Sequence, residues 1–214
     1  APEGDWDTWL ILAGRGWGKT RTGAEWIRER VMGSGNSGRL AIVAATTGDI
    51  YKVILEGDSG LYKVFPPHQR PKFNGQKNTL KFHNGAIANC FTAEEPDRMR
   101  GPQYTDAWCD ELAAWRYPEA WDQLQFGLRL GNRPRVCVTT TPRPTPIIRS
   151  LLEDAGTRTT RGSTYDNKHN LAAAFLRKIL KKYEGTRLGR QELFAEVLGD
   201  TPGALWTLDG LDAD

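Results

Sequence analysis

Hydrophobic residues in this chain fall into short continuous blocks separated by stretches of helical period. Trp9–Ala13 (WLILA) is an unbroken apolar run that ends in a glycine-rich turn, the pattern of a strand buried on both faces. From Thr20 to Met32 the spacing turns helical, with Ala24, Ile27 and Val31 on one face, and it stops at Gly33-Ser34-Gly35-Asn36. Arg39–Ala45 reads as a second buried strand, Asp49–Glu56 as a helix closed by Gly57, and Pro66–Gln76 as loop. Thr79–His83 and Ala86–Thr92 flank Asn84-Gly85, which predicts a hairpin. Further on, Ala107–Cys109 is a short strand that runs into Asp110-Glu111, and Pro118–Leu130 a helix with proline at its start. Arg135–Thr140 and Thr157–Gly162 read as strands around a helix at Ile147–Asp154. Leu171–Tyr183 and Leu188–Leu198 are amphipathic helices joined at Gly185. Strands alternating with helices predict an α/β fold with a mostly parallel sheet. Residues past Thr201 carry proline, glycine and acids, and read as a linker.

Length and composition agree with this picture. The 214 residues suit one α/β domain with a small appendage, and 39% hydrophobic against 26% charged residues excludes a disordered or collagenous chain. No apolar run approaches the roughly 18 residues that would span a bilayer, and Ala1–Asp7 is too polar for a signal peptide. Cys90, Cys109 and Cys137 are an odd set without a C-x-x-C pair, which argues for buried free thiols in a reducing cytoplasm rather than disulfides or zinc. The net charge of +3 is uninformative, but its distribution is not. Arg158–Arg190 holds nine basic residues against Asp166 and Glu184, and Gln191–Asp214 holds six acids and no base. A basic belt, with Arg177, Lys178, Lys181 and Lys182 at its centre, suggests a polyanionic partner; a solvated helix face is the competing reading.

Candidate chemistry concentrates at the ends of the predicted strands. Gly14-Arg15-Gly16-Trp17-Gly18-Lys19-Thr20 lies between a buried strand and a helix. There the glycines let backbone N–H groups converge on phosphates, and the helix N-terminus adds its dipole. Lys19 then supplies mobile charge and the Thr20 hydroxyl a ligand for Mg²⁺. The usual G-x-x-x-x-G-K-[ST] pattern asks for glycine at Ala13, and here it comes one step later. Arg15 either reaches the γ-phosphate or faces solvent. Asp110 and Glu111 close a buried strand. In a phosphate-loop enzyme the first holds Mg²⁺ through water and the second polarises the attacking water. Thr139, Thr140 and Thr141 end another strand at the edge where α/β sheets bind ligands, although threonines are also ordinary strand formers. Arg98 and Arg100 sit on the polar segment before the acidic pair, within reach of a phosphate or simply on the surface.

These residues resemble the ATPase domain of the large terminase subunit of tailed phages and gene transfer agents. The resemblance rests on G-R-G-W-G-K-T-R-T-G-A-E-W (14–26), A-E-E-P-D-R-M-R-G-P-Q (93–103), A-W-C-D-E-L-A-A-W (107–115) and V-T-T-T-P-R-P (138–144). It continues through S-T-Y-D-N (163–167), Y-E-G-T-R-L-G-R-Q-E-L (183–193) and G-A-L-W (203–206), nearly the whole chain. Arg15 and the displaced glycine are what that family's phosphate loop looks like. The resemblance implies an ASCE-type P-loop NTPase, with a core at 1–168, a small helical lid at 169–200 and a linker at 201–214. It implies Mg²⁺-dependent ATP hydrolysis that drives double-stranded DNA into a procapsid in the host cytoplasm. Ring self-association, a portal protein and a small terminase subunit are the implied partners, and no membrane is involved. It further implies Asp110 on Mg²⁺, Glu111 as base, Lys19 and Arg15 on phosphate, Arg100 as an arginine acting on the next subunit, and Thr139–Thr141 as the coupling segment. The family's nuclease domain needs several carboxylates on strands, and Asp209, Asp212 and Asp214 do not supply it. The stretch ahead of the loop is short, leaving Trp6 and Trp9 as the candidates to contact adenine. A helicase-type ATPase and a non-catalytic nucleotide-binding assembly module are the alternatives.

Overall fold

The computed structural model describes residues 1–33, 38–183 and 185–198. The expected glycine-rich stop at 34–36 and the linker with Asp209, Asp212 and Asp214 lie outside these residues. Eight strands are formed among them: β1 Thr8–Ala13, β2 Arg39–Ala44, β3 Lys72–Asn74, β4 Thr79–Lys81, β5 Ile87–Thr92, β6 Asp106–Asp110, β7 Arg135–Thr140 and β8 Thr157–Gly162. The helices are α1 Lys19–Met32, α2 Thr47–Asp49, α3 Leu61–Val64, α4 Glu119–Gly127, α5 Pro146–Glu153, α6 Ala173–Tyr183 and α7 Arg187–Phe194. The strands make one sheet in the order β3-β4-β5-β2-β6-β7-β1-β8, antiparallel only at β3-β4 and β4-β5. One strand, β7, therefore separates β1 from β6 and pairs with both in parallel.

The continuous apolar runs are needed because the inner strands are covered on both faces. Ile11, Ile42 and Trp108 pack beneath α1 and α3, while Leu10, Leu12, Val43 and Val138 face α4 and α5 on the other side. All six residues of β1 are buried. Cys90, Cys109 and Cys137 are buried and unpaired, as expected. The hairpin also forms: Gly85 turns with φ +91°, and the Phe82 N–H donates to the Ala86 carbonyl at 2.9 Å. No helix among the described residues is long and apolar enough to cross a membrane.

Local structure departs from the sequence reading on the side of β2 and β5. The helix expected at Asp49–Glu56 is one α-turn, started by a capping box between Thr46 and Asp49, followed by a π-helical turn at Ile50–Leu55. The wider winding brings Ile50, Ile54 and Leu55 to the core together, where an α-helix would turn one of them away. The expected loop Pro66–Gln76 contains a 3₁₀ turn at Pro67–Gln69 and the strand β3. Three residues are too few to show a period, and the strand is fixed by tertiary contact, with Phe73 edge-on to Tyr51 at 5.3 Å. The helix α3 carried no signal for the same reason. The expected Pro118–Leu130, Leu171–Tyr183 and Leu188–Leu198 helices are each shorter as formed.

Candidate active site

The phosphate loop is the connection from β1 to α1. Gly18 caps α1 in the left-handed region, with φ +112°, a conformation costly for any side chain. The loop is tied down from the segment after β8: the Thr164 hydroxyl donates to the Arg15 carbonyl and the Asn167 amide to the Gly16 carbonyl, each at 2.7 Å. Ala13, where the usual pattern has glycine, is simply the last buried residue of β1 and pairs with Gly162 of β8. The glycine is needed at position 14. A Cβ there would lie 2.7 Å from the Glu192 carbonyl oxygen and 2.8 Å from that of Leu193, so only glycine lets the end of α7 rest on the loop. The Arg15 N–H donates to the Glu192 carbonyl at 2.8 Å across the same contact.

Lys19 opens α1 and is 9% exposed. Its ammonium donates to the carbonyls of Ala13 (3.0 Å) and Gly14 (3.3 Å) and stands 3.7 Å from a Glu111 carboxylate oxygen. Thr20 follows in the first turn and lines the cleft.

Neighbouring residues on a strand point to opposite faces, so Asp110 and Glu111 share a site only because the strand ends between them. Glu111 adopts a left-handed conformation, φ +50°, which turns its side chain off β6. A non-glycine residue pays of order 1–2 kcal/mol for that, and such strain collects at functional sites. Its carboxylate accepts from both the N–H and the hydroxyl of Thr141, each at 3.2 Å, and is 37% exposed. Asp110 is buried behind it, accepting from the Thr139 hydroxyl at 2.7 Å, and that hydroxyl in turn accepts from the Trp108 indole at 2.8 Å. Burial, and secondarily the charge of Glu111, pushes the Asp110 carboxyl up to about 7, against a lowering by the Thr139 hydrogen bond and Lys19. Thr140 accepts from the Ala113 N–H at 3.0 Å, fixing the turn after Glu111. The three threonines thus hold, in order, the first acid, the turn and the second acid.

The result is a cleft of about 770 Å³ whose walls include Arg15, Gly16, Gly18, Lys19, Thr20, Glu111 and Thr141. Arg15 is largely exposed, 3.7 Å from the Glu192 carboxylate. Trp17 points the other way and packs across Gly162. Arg100 is not among the residues that line the chain's own cleft; it is exposed and donates to the Gln123 side chain at 3.1 Å. Arg98 pairs with Glu95. Trp6 and Trp9 are core residues rather than adenine contacts: their indoles donate to the Pro2 carbonyl and the Thr160 hydroxyl. Lys52, Asp58, Arg143, Asn167 and Asn170 also line the cleft without having been singled out in the sequence. Arg143 was visible there, two residues beyond the last of the threonines, whereas Lys52 comes from the π-helical turn, which nothing predicted.

Among the described residues no three His, Cys, Asp or Glu side chains converge on one point. Mg²⁺ does not require this, since it is held by one or two carboxylates together with phosphate oxygens and water. The hard oxygens of Thr20 and Asp110 fit that donor set, and a carboxyl driven towards neutrality by burial favours a cation beside it.

The family model for the large terminase subunit, T4likevirus-type, N-terminal part, matches residues 10–212. No curated protein sequence matches the chain. Among solved structures, the large terminase of a thermophilic bacteriophage in complex with ADP is similar with a TM-score of 0.74 at 14% identity, covering 90% of this chain and 48% of that one. The chain therefore spans about half the length of that protein. The Thermus phage P74-26 large terminase ATPase domain is similar with a TM-score of 0.68 at 14% identity, over 92% of this chain and 90% of that domain. The Phi-28 gp11 DNA packaging motor matches with a TM-score of 0.53 at 12% identity, over 94% and 69%. The α/β fold with its mostly parallel sheet is shared with these structures.

Proposed function

The chain belongs to the large terminase N-terminal family, and we propose that it hydrolyses ATP with Mg²⁺ to drive double-stranded DNA into a procapsid. The observation that carries this reading is the convergence of Lys19, Thr20, Glu111 and Thr141 on one cleft, with Asp110 directly behind. Lys19 exchanges its carbonyl partners for the β- and γ-phosphates, and the loop N–H groups and α1 dipole complete the cradle. Thr20 and Asp110 are the residues that would hold Mg²⁺, and the ion would supply positive charge to offset that of the phosphate oxygens. Glu111, fixed by Thr141, takes a proton from the water that attacks the γ-phosphorus, and ADP departs. A purely structural module has no use for a strained glutamate held beside the lysine of a phosphate loop.

The remaining assignments follow from the family. The thermophilic-phage and P74-26 proteins are terminases and the Phi-28 protein a packaging motor, which supports a ring of subunits in the host cytoplasm engaging a portal protein and a small terminase subunit. Arg15 and Arg100 then add positive charge to the γ-phosphate, Arg100 from the neighbouring subunit, and Thr139–Thr141 couple hydrolysis to movement. The helices α6 and α7 form the lid. Phosphate release and nucleotide binding test the site together. Lys19→Ala abolishes productive binding, whereas Glu111→Ala binds ATP and fails to cleave it. Wild-type turnover in Glu111→Ala would overturn the assignment.

A further inference from the structure

Four cations line the cleft: Arg15, Lys19, Lys52 and Arg143. Arg15 has Glu192, and Lys19 has the loop carbonyls and Glu111. Among the described residues Lys52 and Arg143 have neither an ion-pair nor a hydrogen-bond partner for their side chains. A guanidinium exposed at a cleft wall without a counter-charge is held ready for one. Building on the ATP reading, we propose that Arg143 contacts the γ-phosphate of ATP bound to its own chain, so that the segment after β7 distinguishes ATP from ADP.

Position favours Arg143 over Lys52. It lies two residues beyond Thr141, whose N–H and hydroxyl hold the Glu111 carboxylate, so it belongs to the end of the cleft where the base stands. Lys52 comes instead from the π-helical turn at Ile50–Leu55, away in sequence from both acids and from the threonines that hold them. The backbone around Arg143 is preset. Pro142 and Pro144 fix the torsions on either side, the Arg143 N–H donates to the Thr141 carbonyl, and the Arg143 carbonyl accepts from the Thr145 N–H, both at 2.9 Å. Little backbone freedom is lost when such a residue engages a ligand. The planar fork of arginine also suits the two oxygens of a terminal phosphate better than an ammonium does. Because Arg143 leads directly into α5, which begins at Pro146, presence or loss of the γ-phosphate is felt by a helix as well as by a side chain.

The test is a calorimetric titration of the whole chain with Mg²⁺ and either ADP or the non-hydrolysable adenosine 5′-(β,γ-imido)triphosphate. Arg143→Gln lowers affinity for the triphosphate roughly ten- to a hundredfold, the worth of a charge-assisted hydrogen bond, and changes ADP affinity by less than about threefold. Arg143→Lys keeps the charge without the fork and falls between. Lys52→Gln leaves the ratio of the two affinities unchanged. Equal losses for both nucleotides, no loss in Arg143→Gln, or the selective loss in Lys52→Gln instead would each overturn the inference. A wild-type chain that binds neither nucleotide would overturn the ATP reading itself, a distinct outcome. Equal thermal midpoints for wild type and variants show that the fold is intact and that the change lies in the nucleotide contact.

Discussion

Asp110 and Glu111 carry the same functional group and adjoin in sequence, yet their surroundings give them different work. Glu111 sits at the cleft wall with two donors from Thr141, while Asp110 is buried with one donor from Thr139. With its carboxyl raised to about 7, Asp110 is protonated in the nucleotide-free fold over a range in which the unfolded chain, near 4, has lost that proton. The contribution of Asp110 to stability is therefore fully present below about pH 4 and is lost as pH rises towards 7, by roughly 4 kcal/mol at most. Asp110→Asn removes the decline. Without nucleotide its melting temperature is expected to match wild type near pH 4 and exceed it at pH 8, and parallel curves at both would refute the effect. At this scale the sequence was legible where a motif fixes both residue and neighbour, as for Lys19, Thr20 and the two acids. It was silent on Thr141 as the holder of Glu111, because that contact depends on a left-handed turn at a glutamate.

The elements make the same division. The strands β1, β2 and β7 were legible because burial on both faces marks nearly every residue, and α1 because its one buried face recurs along the helix. The π-helical turn at Ile50–Leu55 and the strand β3 were not, since each answers to packing partners distant in sequence. Two roles combine in α6. Phe175, Ile179 and Tyr183 recur every fourth residue and face α7 and Arg15, while Arg177, Lys178, Lys181 and Lys182 are exposed. The exposed face is the candidate for the polyanionic partner that the charge distribution suggests, and double-stranded DNA is the polyanion that the proposed function supplies. A motor on arbitrary sequence must hold phosphates rather than bases, so affinity falls steeply with salt. Replacing the four with glutamine is expected to weaken binding on every sequence and to flatten the log–log salt slope by about 0.9 for each phosphate no longer neutralised. An unchanged slope, measured by anisotropy across salt concentrations, assigns the face to something other than DNA.

On the scale of the whole molecule, Arg100 is the residue whose proposed role requires a neighbouring subunit. It stands exposed beside Gln123 and Asp97, and the cleft of its own chain is completed without it. An arginine supplied in trans contributes on the order of 10³-fold or more in rate in comparable enzymes. In full-length protein, mixing inactive Arg100→Ala with inactive Lys19→Ala subunits is expected to restore part of the ATPase rate, because some interfaces then join an intact arginine to an intact pocket. No restoration, with Arg100→Ala fully active alone, passes the role to Arg15 or Arg98.

The outer strands of the sheet bear on how such subunits meet. At one end β3 offers three residues, and at the other β8 presents the exposed Arg158 and Arg161. Short or charged margins discourage the addition of a foreign strand. Copies of this chain are thereby steered away from joining into one continuous β-structure, whose backbone ladder would weld them in a single orientation. In the proposed ring, contacts between copies would therefore run through side chains and loops, which can be exchanged one at a time, rather than through a shared backbone ladder.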